Sequence, residues 1–128
     1  MRPEIILLDE PTASLDPKNT ELLEKTLDQL SAAGITLIVS THDVDFAYRF
    51  AGRAVVFHAG RIIADAAPEQ VFADEAVIRE AGLKRPVLFE AACLVRRALP
   101  GIPANASPRT MEEFAEMLNF AKTVDKSL

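Results

Sequence analysis

Hydrophobic positions along this chain follow two different periods. Ile5 to Leu8 is an unbroken run of four aliphatic residues, and Ile35 to Ser40 (ITLIVS) is a second apolar run. Runs this short and bulky predict strands of a parallel sheet buried on both faces. Between them Leu22, Leu23, Leu27 and Leu30 recur at helical spacing. Asp16 and Pro17 mark the start of that helix, a capping acid followed by proline at the first helical position, and Gly34 marks its stop. Strand, helix and strand within about 35 residues predict a βαβ unit with parallel strands and a right-handed crossover.

Further along, Val44, Ala47, Tyr48 and Ala51 share one side of a short helix that ends at Gly52. Arg53 to Asp65 reads as a hairpin, AVVF and RIIA joined around His58, Ala59 and Gly60. His58 in that turn is expected to be a solvated loop residue without chemistry. Pro68 opens a short helix through Val71 and Phe72. After Pro86, the positions Val87, Leu88, Ala91, Leu94, Val95 and Ala98 make an amphipathic helix. A Pro/Gly loop from Pro100 to Pro108 follows, and Thr110 with Glu113 forms a capping box. Met111, Phe114 and Leu118 are expected on one side of the helix it starts. The fold class is α/β: a parallel βαβ unit, a hairpin, and a packed pair of C-terminal helices.

Composition narrows the class. The 128 residues suit one domain, long enough to bury about two-thirds of the unfolded surface. No apolar run approaches the roughly 20 residues of a membrane span, and no basic-then-apolar leader is present. Cys93 is the single cysteine, which rules out an internal disulfide and suits a reducing cytosol. A net charge of −5 without a Lys/Arg tract leaves no electrostatic footprint for nucleic acid. A soluble cytoplasmic chain is the expectation.

The chemistry is concentrated where the first strand should emerge from the core, at Asp9 and Glu10. Ligands of open α/β sheets bind at the carboxyl ends of the strands. One acid there can hold a hard cation by oxygen ligation, and a second can orient or deprotonate a water. The βαβ geometry delivers Thr41, His42 and Asp43 to the same edge. The ring of His42 could donate to a carboxylate and accept from another group, although a lone histidine after a strand is more often a surface residue.

The segment Ile5 to Pro17, IILLDEPTASLDP, resembles the Walker B strand and following D-loop of ABC-type ATPases, and Ser40 to Asp43 (STHD) resembles their switch segment. The resemblance implies a partial P-loop NTPase sheet and the cofactors ATP and Mg²⁺. Asp9 would help to hold Mg²⁺ through water, and Glu10 would be the general base. His42 would contact the γ-phosphate, and Ser14 and Asp16 would lie in the D-loop facing a partner nucleotide-binding subunit. Residues 83–128, with DEAVIREAGLKRP leading into them, resemble the C-terminal extension of cobalt/nickel and energy-coupling-factor importer ATPases. Residues 1–82 would then be the C-terminal portion of the ATPase domain. The implied partners are a second ATPase subunit, identical or different, and a transmembrane transporter component, at the inner face of the cell membrane.

Two family parts are missing from the sequence. None of the five glycines is followed by lysine, as a phosphate-binding loop requires, and no Leu-Ser-Gly-Gly-Gln signature precedes Asp9. Met1 stands where a full-length relative is in mid-domain. The expected function is therefore that of a truncated importer ATPase subunit, active only with the phosphate-binding half supplied. A remnant or regulatory fragment that does not bind ATP is the alternative. In the family sheet the phosphate-loop strand lies beside ITLIVS, so that strand is expected to have lost its neighbour: another polypeptide supplies the missing strand, the hairpin moves in to close the gap, or the fold is marginal.

Overall fold

In the computed structural model, which describes residues 4–126 and their side chains as far as Lys122, the chain divides into two units. The first ends at Asp43 and the second begins at Val44. The first unit holds strand β1 (Ile5–Asp9), helix α1 (Pro17–Ala32) and strand β2 (Thr36–Ser40). The strands pair in parallel, Ile5 opposite Thr36 through to Asp9 opposite Ser40. The ladder continues one step further, since the Glu10 N–H donates to the Ser40 carbonyl at 2.7 Å.

Helix α1 begins as its sequence dictates. Pro17 occupies the first turn, and the Asp16 carboxylate accepts from the Asn19 N–H at 2.7 Å, relieving one orphan donor of that turn. Asp16→Ala should therefore cost about 1 kcal/mol, and Asp16→Asn far less. Urea melts of the two variants followed by circular dichroism check this, and equal midpoints would remove the cap from the account.

Three sequence expectations for this unit are corrected. The strands are not buried on both faces: Leu7 is 73 % and Ile38 52 % exposed, whereas Ile6, Leu8, Leu37 and Val39 are half-buried. A parallel strand is covered on both faces only when helices lie on each side of it. A single crossover helix, α1, packs against β2 within this unit. On α1 only Leu27 is buried, while Leu22 is largely exposed, so the leucine stripe is wider than the face it covers. Strand β2 starts at Thr36, and Ile35 belongs to the turn, its N–H donating back to the Leu30 carbonyl at 3.2 Å.

The second unit opens with helix α2 (Val44–Phe50), followed by the antiparallel hairpin of β3 (Ala54–His58) and β4 (Arg61–Ala66). Ala59 and Gly60 turn the hairpin with positive φ angles of 50° and 76°, the conformation tight two-residue turns require. His58 is exposed at the end of β3, as expected of a solvated residue. Four helices follow: α3 (Pro68–Ala73), α4 (Glu75–Ala81), α5 (Val87–Ala98) and α6 (Met111–Lys126). Asp74 caps α4, and Gly82 ends it in the left-handed conformation with φ 65°.

The core of this unit has two parts. In one, Tyr48 of α2 meets Phe72 of α3 and Phe89 of α5 edge-on, ring centroids 6.0 and 5.9 Å apart. In the other, Ala92 of α5 packs with Ile102, Met117 and Ala121. Helix α5 joins the two, because Phe89 and Ala92 lie three residues apart on one face. That face differs from the expected stripe, for Val87 and Leu94 point to solvent. Likewise α2 buries Phe46 besides Tyr48, and on α6 Met117 is buried where Met111 is exposed.

Arg109 fastens the start of α6. Its guanidinium donates to the Ala51 carbonyl at 2.7 Å and pairs with Glu69 of α3, while its backbone N–H donates to Glu113 at 2.7 Å. The capping box is thus half as expected. The Glu113 N–H donates to the Thr110 hydroxyl at 3.1 Å, but the Glu113 carboxylate reaches Arg109 rather than Thr110. The Tyr48 hydroxyl is buried without a hydrogen-bond partner among the described residues, and burial, with Glu69 adding to it, pushes its phenol above the usual range.

Candidate active site

Parallel pairing with Asp9 opposite Ser40 places the C-terminal ends of both strands side by side. The Ser40 hydroxyl donates to the Asp9 carboxylate across the ladder. One residue on, the Thr41 hydroxyl donates to Glu10 Oε2 at 3.4 Å. His42 Nε2 lies 3.6 Å from Glu10 Oε1. Each Glu10 oxygen therefore faces a different residue of the segment that leaves β2. The side chain of His42 is 97 % exposed and that of Glu10 34 %, so the ring can turn toward a ligand while the carboxylate is partly shielded.

Backbone geometry singles out Glu10. Its φ of 47° lies in the left-handed region, which residues with a side chain seldom occupy. Strain of this kind, on the order of 1–3 kcal/mol, persists where surrounding structure over-determines it. Here the Glu10 N–H is held by Ser40, and its carbonyl accepts from the Ala13 N–H at 3.1 Å. The strand is thereby bent sharply at the point where the acid emerges.

Asp9, Glu10 and His42 are brought together at this edge. Ser14 and Asp16 lie in the turns that follow, Ser14 with φ 65° and Asp16 with its carboxylate capping α1. Sequence reasoning gave Ser40 and Thr41 no role of their own. Their signal was the strand register, which pairs each hydroxyl with one acid, and register is not readable from two isolated apolar runs.

The donor set here is oxygen: two carboxylates and two hydroxyls. It suits a magnesium-type ion, which takes one or two carboxylates and fills its remaining positions with water and phosphate oxygens. Among the described residues no group of three or more His, Cys, Asp or Glu is placed to form an all-protein metal cage. A cradle for the phosphates of a nucleotide is not supplied by these residues, since no glycine-lysine pair occurs in the sequence. Two carboxylates and two hydroxyls at one edge are groups that can hold a hard cation and orient a water.

Known proteins resemble this chain over much of its length. The family model matching residues 1–46 is described as "AAA domain, putative AbiEii toxin, Type IV TA system", and its match spans the strand–helix–strand unit and the edge. The cobalt import ATP-binding protein CbiO of Rhodobacter capsulatus is 43 % identical over 118 residues, 92 % of this chain and 42 % of that protein. An energy-coupling factor transporter ATP-binding protein of Methanospirillum hungatei is 47 % identical over 90 residues, 70 % of this chain and 23 % of that protein. Among solved structures, cbiO1 from Clostridium perfringens, part of an ABC transporter complex, superposes with a TM-score of 0.50 at 36 % identity. That superposition covers 70 % of this chain and 36 % of the other. The chain spans less than half the length of each of these relatives. Its fold is that of an ABC ATPase domain in part: a parallel strand pair, a hairpin and helices.

Proposed function

We infer, from a chain homologous to part of the ATP-binding subunits of ABC-type cobalt and energy-coupling-factor importers, that it supplies the hydrolytic edge of such a subunit. The observation that carries this reading is the meeting of Glu10 and His42, 3.6 Å apart, at the ends of two paired parallel strands. A general base must lie within reach of the water it deprotonates, and Glu10 Oε1 lies beside the exposed ring on a side chain that keeps part of its surface in solvent. In this reading Glu10 takes a proton from the attacking water and His42 donates a hydrogen bond to the terminal phosphate. Asp9, its carboxylate accepting from Ser40, would help to hold a magnesium ion through water, and that ion would neutralise charge on the phosphate oxygens. Ser14 and Asp16 face a second ATPase subunit.

The phosphate-binding loop and signature segment would come from residues outside these 128, in the same polypeptide or another. The whole assembly would couple hydrolysis to import of a metal ion such as cobalt or nickel through a transmembrane component, with this chain on the inner membrane face. No helix among the described residues is long and apolar enough to cross a membrane.

The 128-residue chain should bind Mg-ATP weakly or not at all. Most phosphate contacts in such sites come from backbone N–H groups and a lysine of a glycine-rich loop, and two acids without them repel the nucleotide. Calorimetric titration tests this. A micromolar dissociation constant would mean that the chain contains a phosphate site of another kind and would overturn the reading.

A further inference from the structure

We propose that Thr41 is a positioning residue for Glu10: its hydroxyl locks one carboxylate oxygen so that the other is presented beside His42. The proposal deepens the functional reading above and rests on it for the catalytic consequence alone. A hydroxyl carries one proton and can accept through its lone pairs. In Thr41 the accepting side is taken by the Asp43 N–H, 3.0 Å from Oγ1. The hydroxyl proton is then directed at Glu10 Oε2, 3.4 Å away. Oε1 remains, and it is the oxygen that lies 3.6 Å from His42 Nε2.

The need for such a lock follows from the backbone. Glu10 leaves β1 in a left-handed conformation, and its side chain has three rotatable bonds beyond Cα. Without a tether the carboxylate would sample several rotamers, and a base misplaced by about 1 Å loses much of its effect. The neighbouring pair repeats the device, for the Ser40 hydroxyl holds Asp9 in the same cross-strand manner. Two successive residues of one strand end thus orient two successive acids of the other. The arrangement is a product of the register that pairs Asp9 with Ser40.

The test has one reading on the chain itself and one on an assembled ATPase. NMR couplings of the Glu10 methylene protons report whether the side chain holds one rotamer. The wild-type chain should show a single dominant rotamer, Thr41→Val an averaged set, and Thr41→Ser a return to the wild-type values. A fixed Glu10 rotamer in a folded Thr41→Val chain, or averaging in the wild type, overturns the proposal. In an ATPase completed with a phosphate-binding segment, Thr41→Val should lower kcat about tenfold with KM unchanged, and Thr41→Ser should restore it. Tenfold is the rate equivalent of one hydrogen bond to a charged group. An assembly that hydrolyses nothing in wild-type form sinks the functional reading, while the rotamer measurement still decides the positioning role.

Discussion

Glu10→Gln, placed in an assembly that supplies the phosphate-binding loop, should lower turnover by about 10²–10⁴-fold, the typical worth of a general base. Glutamine keeps the size of the side chain and can still accept from Thr41 through its amide oxygen, so the local geometry survives. What it loses is the ability to take a proton. Nucleotide affinity should therefore change far less than kcat, and the comparison of the two is the measurement. Loss of affinity alone would mark Glu10 as a binding residue, and unchanged turnover would remove it from the chemistry. Turnover absent in both forms, with assembly intact, would favour a docking fragment that does not hydrolyse ATP. His42→Ala should also slow hydrolysis, because an exposed ring beside Glu10 has no packing to lose and only a ligand contact to give.

Phe72→Ala should remove most of the stability of the second unit. Phe72 is buried and meets Tyr48 edge-on, in a cluster to which Phe89 also belongs. Truncating a buried phenylalanine costs about 3–5 kcal/mol, a total that includes the lost edge-on ring contact. Whole domains are stable by only about 5–15 kcal/mol. Tyr48 is the sole tyrosine and the chain has no tryptophan, so intrinsic fluorescence reports on this cluster directly. Urea unfolding followed by that signal should show the midpoint collapse in Phe72→Ala. Phe57→Ala, at an exposed hairpin position, should stay within about 0.5 kcal/mol of the wild type. Equal midpoints for Phe72→Ala and the wild type would mean that the aromatic cluster does not hold the unit together.

Most elements were legible in the sequence because they carry their own punctuation: Asp16-Pro17 and Gly34 bracket α1, and Ala59-Gly60 turns the hairpin. Helix α4 was not read, although Asp74 caps it and Gly82 stops it. The edge carrying Asp9, Glu10 and His42 was legible for a related reason, since a βαβ unit brings both strand ends to one side whatever else surrounds it. Burial was less legible. On α5 the sequence offers two apolar stripes, one through Leu88, Ala91 and Val95 and one through Phe89, Ala92 and Val95. Which of them turns inward is decided by Tyr48 and Phe72 at one end and by Ile102 and Met117 at the other. Those partners are distant in sequence and leave no periodic trace. The hydroxyl-to-carboxylate pairs were hidden likewise, because a cross-strand contact exists only once the register is fixed.

The open face of the β1–β2 pair has a thermodynamic corollary. Leu7 and Ile38 stand in water in the folded chain, and a two-strand sheet seldom persists unaided. A segment that covered that face only with the strands formed would bind the native state and not the unfolded one. Mass action would then tie the melting temperature of this unit to the concentration of such a segment. Each tenfold excess of the segment over its dissociation constant adds about 1.4 kcal/mol to native-state stability. If the segment lies in the same polypeptide, a fixed effective concentration replaces that dependence, and the melt becomes indifferent to dilution.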